Sequence, residues 1–353
     1  VKFPLIQERK TELRTEEIQA LNYSAHAIED FRKAEAEIRG VAPQSAQVYH
    51  RLIAMLQNSV KFILPNCCDL IDPREMGQAH LDLVRLPFPC VAFEVPWNKE
   101  EDGLEYVGDF KQTPATKRIA LCWEPHPEYE VLPGMCSVLD IFPEGGVFVA
   151  PIYWTQEFNE WTVSLGGTFV PYVNEVRDLE MDKMEPATRI AIDAKLEAGL
   201  ASEKSKHFRA EPFYLFPEMF EEAISTYGDQ EKAYAQIILD SHDEVMVLVQ
   251  ACSVMNCANV TTSEIAAPAA LNKKRMAKGK QPFFSYKILQ LSEDKRPRSG
   301  AGSGGKHASP RMHLRRGHLR RLEKKVVWVR PSMINADSKR GAVVKDYLVP
   351  PKA

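Results

Sequence analysis

The chain has 353 residues (40.0 kDa), 44% of them apolar and 26% charged, with a mean hydropathy of -0.30; this excludes a disordered polyelectrolyte and predicts more chain than one hydrophobic core usually serves. No apolar run approaches the about 18 residues that cross a bilayer, and the opening VKFPLIQERKTELR lacks the apolar stretch of a secretory leader, so a cytoplasmic protein is expected. The net charge of -3 hides an asymmetry: residues 271–353 hold 22 of the 45 Lys and Arg but only 5 of the 48 Asp and Glu. An acidic body with a basic end predicts a polyanionic partner, or docking of that end on its own body.

In chain order, Ile18, Leu21, Ala25, Ile28, Phe31 and Ile38 predict an amphipathic helix from a Thr15 cap to Gly40. Pro43 opens a second, whose stripe of Val48, Leu52, Met55, Leu56, Val60 and Ile63 runs to Pro65. The two make an antiparallel hairpin. After Leu86 the texture turns β-branched and aromatic, in LPFPCVAFEVPW, KRIALCWE, CSVLDIFPEGGVFVAPIYW and NEWTVSLGGTFVPYV, and predicts a mainly antiparallel sheet. EGG at 144–146 reads as a hairpin turn, and Gly166-Gly167 as a second turn or a bulge. Helical patterns follow at 185–201 and 217–240, and a further helix at 241–256 starts with Ser241 as cap and His242 and Asp243 in its first turn.

The basic end begins at LNKKRMAKGK and continues with a strand from Phe283 to Leu291. SEDKRPRSGAGSGG, rich in Gly and Ser, is then expected to be a flexible surface loop. KKVVWVRP reads as a strand, SMINADSKRG as a turn and AVVKDYLV as a last strand. The expected class is α+β: an N-terminal helical hairpin (1–66), an acidic body with a mainly antiparallel β region and helices (67–270), and a small basic strand-rich C-terminal module (271–353).

KHASPRMHLRRGHLRRL, residues 306–322, concentrates the chemistry: His307, His313 and His318 among Arg311, Arg315, Arg316, Arg320 and Arg321. Guanidinium groups grip phosphate with planar paired donors and stay charged. These arginines, with Lys273, Lys274 and Arg275, are the candidate nucleic-acid contacts. Phe283, Phe284, Tyr286 and Trp328 are either stacking platforms for bases or core of a small module. Histidines beside arginines also suit phosphodiester cleavage, one imidazole accepting and another donating a proton. The interval of five between His313 and His318 puts them on opposite faces of a strand unless a bulge at Gly317 restores the phase.

Other motifs are weaker. Cys67, Cys68, Cys90, Cys122, Cys136, Cys252 and Cys257 lie in apolar surroundings without repeated spacing and read as reduced thiols. Cys252 and Cys257 lack a second ligand pair, and the acidic EVPWNKEEDGLEY reads as a solvated turn, so no metal and no cofactor is expected. The glycine pairs at 145–146, 166–167 and 304–305 are read as neither a Walker loop nor a dinucleotide fingerprint, and no GxSxG or HExxH occurs in the chain.

The end of the chain, through NCANV (256–260), LNKKRMAKGKQPFFSYKILQL (271–291), HASPRMHLRRGHLRRL (307–322), VVWVRP (326–331) and GAVVKDYLV (341–349), resembles a family of uncharacterised proteins of bacteriophages, prophages and related bacterial mobile elements. The distinctive core is SPRxHxRRGHxRR, and the match covers about the last 100 residues. It departs in EKK after Leu322, where a turn with Gly is expected. The resemblance implies a phage-encoded protein acting inside a bacterium and implies no reaction. The leading expectation is a protein that binds nucleic acid, single-stranded DNA or RNA foremost. The rivals are a metal-independent nuclease built on His307, His313 and His318, and a counter-defence or assembly protein that docks a host or phage protein.

Overall fold

A computed structural model describes residues 20–71, 76–99, 104–257 and 260–291, and the strand segments 313–315, 318–322, 325–329 and 332–334. Its elements are helices α1 (Tyr23–Ile38) and α2 (Pro43–Asn58), strand β1 (Val60–Ile63), the one-turn α3 (Gln78–Leu81), β2 (Cys90–Pro96), a hairpin of β3 (Tyr106–Val107) and β4 (Phe110–Lys111), then β5 (Ala115–Trp123). Next come α4 (Val138–Ile141), β6 (Gly146–Thr155), β7 (Glu160–Val163), β8 (Gly166–Pro171), β9 (Arg177–Asp178), α5 (Pro186–Glu197), β10 (Lys206–His207), β11 (Glu211–Tyr214), α6 (Pro217–Tyr227) and α7 (Gln230–Met255). The chain continues through β12 (Val260–Ile265), α8 (Ala269–Ala277), β13 (Tyr286–Leu291), β14 (His313–Arg315), β15 (His318–Leu322), β16 (Lys325–Val329) and β17 (Ser332–Ile334). The fold is α+β, with an N-terminal helical hairpin and a mixed sheet of nine strands.

That sheet runs β11-β8-β6-β5-β2-β1-β13-β12, with β7 added beside β6. Its middle, β2-β5-β6-β8-β11, is antiparallel, as the turn-punctuated β-branched runs predict. β1 pairs in parallel with both β2 and β13. Alternation along the strands builds two cores. Val91, Phe93, Cys122, Val147 and Val149 pack with Val245, Leu248, Val249 and Cys252 of α7. Ala92, Ile119, Leu121, Phe148 and Ile152 pack with Ile28, Phe31, Leu52 and Leu56 of the hairpin. The sheet is therefore covered on both faces by helices, which explains its near-continuous apolar strands.

Several expectations are corrected. α2 stops at Asn58, because Ser59 is extended and Val60–Ile63 enters the sheet; a strand buried on both faces presents the same apolar run as a helix stripe. α1 starts after Asn22, whose φ of 57° is left-handed, and Thr15 lies outside the described residues. The helix at 217–240 breaks at Gly228 (φ +69°), where Asp229 accepts from Glu231 N and starts α7. α7 then runs unbroken through residue 241: Ser241 is no cap but donates to Ile237 O inside the helix, at 2.7 Å. EGG leads from α4 into β6, and the hairpin is β6–β7. Gly166 and Gly167 lie within β8, where a Cβ would fall 2.0 Å from Phe213 O and 2.1 Å from Val149 O, so only glycine fits between β6 and β11.

The division lines at 66 and 271 both run across this sheet, since β1 precedes the first and β13 follows the second. The start of the basic end is thus a structural part of the body. Beyond it, β14 pairs with β17 and β15 with β16, so SMI, read as turn, is strand. The loop at 292–305 and the last strand at 342–349 lie outside the described residues. Among the described residues no helix is long and apolar enough to cross a membrane.

Candidate nucleic-acid interface and an ionic cluster

The basic stretch after Pro268 folds as α8, a helix from Ala269 to Ala277 closed by Gly279 at φ +65°. Its last turn is cationic, which complements the helix dipole. Lys273, Lys274, Lys278 and Lys280 are exposed. Arg275 turns inward instead: its Nη2 meets Glu29 Oε1 at 2.5 Å, its Nε donates to Gln281 O at 2.7 Å, and its guanidinium lies over the Phe283 ring at 3.9 Å. Of the three candidates here, Lys273 and Lys274 face solvent and Arg275 pins the helix to α1.

The histidine stretch divides between two ladders. His313 and Arg315 on β14 sit opposite Ile334 and Ser332. His318, Arg320 and Arg321 on β15 sit opposite Val329, Val327 and Val326, and Arg320 is exposed. β15 and β16 pair through Leu322 and Lys325, around the EKK departure. His307, Arg311 and Arg316 lie outside the described residues. Of the aromatics, Tyr286 is fully buried with its hydroxyl on Glu94, and Phe284 lies under Lys61, whose Nζ is 3.7 Å from the ring centre. Both serve the body. Phe283 packs against His26, and Trp328 pairs with Leu319 across the β15–β16 ladder.

All seven cysteines are free thiols; Cys257 donates to Ser253 O at 3.1 Å, and Cys252 of α7 is buried in the core between helix and sheet. No group of three His, Cys, Asp or Glu among the described residues is placed to hold a metal ion.

A second concentration of ionisable groups lies where α7 crosses the sheet. Arg118 on β5 donates through Nη1 to Glu244 Oε1 at 2.8 Å and through Nη2 contacts Asp243 Oδ2 at 3.2 Å. Lys99, just past β2, reaches the same Asp243 oxygen at 3.8 Å, and Trp97 lies beneath both cations, 4.9 Å from Arg118 and 5.2 Å from Lys99. Glu244 is fully buried, and burial raises its pKa against the pull of Arg118. Burial likewise opposes charge on Asp243, but Arg118 and then Lys99 outweigh it and hold that carboxyl below its usual value. The ammonium of Lys195, on α5, acts on His242 more strongly than any other group and, with burial, holds the imidazole neutral, well below its usual range. Burial lowers Lys195 itself to about 8.

One turn earlier on α7, Asp240 accepts from Gln236 Nε2 at 2.7 Å and Ser164 Oγ at 3.3 Å. Burial raises its pKa to about 7 despite those bonds. A carboxyl whose folded pKa exceeds its unfolded value of about 3.9 adds stability that is complete below that value and is lost as pH rises toward 7. Asp240→Asn should therefore flatten the fall in stability between pH 4 and 7 by about 3 kcal/mol. Urea unfolding at four pH values measures this, and an unchanged slope would count against a raised Asp240.

No protein-family model, curated protein or solved structure matches the chain.

Proposed function

We propose that the chain is a phage-type nucleic-acid-binding protein that engages single-stranded DNA or RNA with its basic C-terminal region. The observation that carries this reading is the end of α8: Lys273, Lys274, Lys278 and Lys280 are exposed and have no ion-pair partner among the described residues, while Arg275 anchors the helix to Glu29. The exposed Arg320 and the 22 basic residues of 271–353 extend the cationic character toward the end of the chain. Phosphate contacts made by such side chains release counterions and are independent of base sequence. The phage setting rests on the SPRxHxRRGHxRR core.

Fluorescence anisotropy of the full chain on single-stranded oligonucleotides tests the proposal. Affinity should fall with salt at a logarithmic slope of about -0.7 per phosphate contact. Arg315→Ala, Arg316→Ala, Arg320→Ala and Arg321→Ala together should weaken binding and shrink that slope, whereas His313→Ala with His318→Ala should leave most of the affinity. Full affinity in the arginine variant overturns the assignment. Cleavage of labelled DNA or RNA that His318→Ala abolishes, with the fold intact, would make the protein a nuclease.

A further inference from the structure

A cleft of about 1010 Å³ opens between the outer face of α2 and the connection from β5 to α4, a volume at the upper end of small-molecule sites. On α2, Ala46, His50, Ala54 and Asn58 line it at intervals of four, and the short side chains at 46 and 54 leave the space open. Tyr129 and Val131 line the opposite side. The buried Met55 and Trp123 and the half-buried Cys90 form its base. Trp123 stacks on Phe148 with ring centres 5.3 Å apart and planes at 22°, and Phe148 meets Phe169 at 4.8 Å. A column of aromatic rings from the sheet core thus ends at this cleft.

The rim carries the opposite charge from the body around it. Glu35 is the one carboxylate among the lining residues; Arg39 Nη2 holds its Oε1 at 2.7 Å, and His50 Nδ1 lies 3.7 Å from the same oxygen. Arg51 donates Nη1 to Val131 O at 2.9 Å, a bond that ties α2 to the far side of the cleft. Its exposed guanidinium has no carboxylate partner among the described residues. Two guanidinium groups against one carboxylate make the opening cationic, whereas residues 1–270 hold 23 Lys and Arg against 43 Asp and Glu. Such a local reversal of sign favours an anion at this opening and nowhere else nearby.

We propose that this cleft binds a planar aromatic anion, its ring on the base of Trp123 and Met55 beside Tyr129 and its acidic group on Arg51. An aliphatic chain could also cover an apolar base, but this one presents ring faces and a thioether, and Tyr129 is 65% exposed at the lip. Offset rings, and sulfur at a ring edge, attract beyond the area they bury. A carboxylate or phosphate on the ring matches the planar paired donors of a guanidinium, which stays charged at every working pH. The site lies on the hairpin side of the body and does not depend on nucleic-acid binding by the basic end.

Calorimetric titration of the full chain at constant ionic strength tests this with four compounds: 2-naphthoate, its neutral amide, decanoate and adenosine monophosphate. The expected result is saturable binding of 2-naphthoate, with the amide and decanoate each weaker by about tenfold or more. Tighter binding of the monophosphate than of 2-naphthoate assigns the site to nucleotides, and the reverse assigns it to aromatic carboxylates. Ala54→Trp, an exposed position, should fill the cleft and abolish binding, while Ala54→Ser should retain it. Arg51→Met should weaken binding about tenfold, and Arg51→Lys, which keeps the charge, should retain most of it. Glu35→Gln releases Arg39 and should tighten binding by about threefold, a gain that no folding defect produces. The quadruple arginine variant should bind 2-naphthoate like the parent, so this site and the nucleic-acid reading fail separately. No saturable binding of either aromatic anion, equal affinity for the amide or decanoate, or unaltered affinity in Ala54→Trp or Arg51→Met overturns the proposal.

Discussion

Glu94→Ala is expected to destabilise the protein by about 3–5 kcal/mol, the cost of removing one partner from a buried, charge-assisted network. Glu94 lies in the middle of β2, fully buried. One carboxylate oxygen accepts from Ser24 N at 2.8 Å and Ser24 Oγ at 2.6 Å, the other accepts from Tyr23 N at 2.9 Å, and the Tyr286 hydroxyl lies 2.9 Å from both. One side chain thus fixes the first turn of α1 and strand β13 to the centre of the sheet. It satisfies two backbone N–H groups that the start of a helix otherwise leaves open, and Asn22 supplies no side-chain cap. Burial raises the Glu94 pKa, and the Ser24, Tyr23 and Tyr286 bonds work against that rise. The alanine variant strands these donors in an apolar layer. Glu94→Gln keeps the volume and one acceptor and should cost less. Urea midpoints at constant slope measure both, and an alanine variant as stable as the parent would show that the network contributes nothing.

Arg118→Leu is expected to cost a similar amount, about 3–5 kcal/mol, because it leaves Glu244 buried without its cation. The informative variant is the double replacement Arg118→Leu with Glu244→Leu. Removing both charges abolishes the desolvation cost as well as the attraction, so the double variant should be more stable than Arg118→Leu alone by about 2 kcal/mol or more. Asp243 keeps Lys99 in either background. Additive losses would mean that the Arg118–Glu244 contact carries no coupling.

The helical hairpin and the antiparallel strands were legible because each rests on a local period: Ile28 and Phe31 against Leu52 and Leu56, or the alternation of Val91, Phe93 and Val95 with Ala92 and Glu94. β1 was not, since VKFI buried on both faces has no alternation to betray it. Its partner β13 lies more than 220 residues away, and nothing local in either strand encodes their pairing. α8 was missed because its lysines drew attention to charge over periodicity. The ionic cluster escaped for a related reason: Arg118 and Glu244 are 126 residues apart, and each alone is an ordinary charge. His242 and Asp243 after Ser241 imitate a helix start. The available signal was Gln236, Asp240 and Glu244 at intervals of four, a polar stripe that leads into the strongly apolar second half of the helix. Glu94 inside VAFEVP was a similar sign, a charge where none is expected without partners.

The parallel seam between β1 and β13 also sets a timetable for synthesis. β1 emerges early, with β2 soon able to cover one side, but its other side waits for residues 286–291. At translation rates of about 5–20 residues per second, that interval lasts roughly 10–45 s. For that time the nascent chain exposes an unpaired apolar edge, a template for pairing with other chains. The sheet closes only when β13 arrives and joins β1, with β12 completing the new margin. Folding is thus held back by its most distant contact, and a ribosome stalled between β12 and β13 would release an aggregation-prone chain.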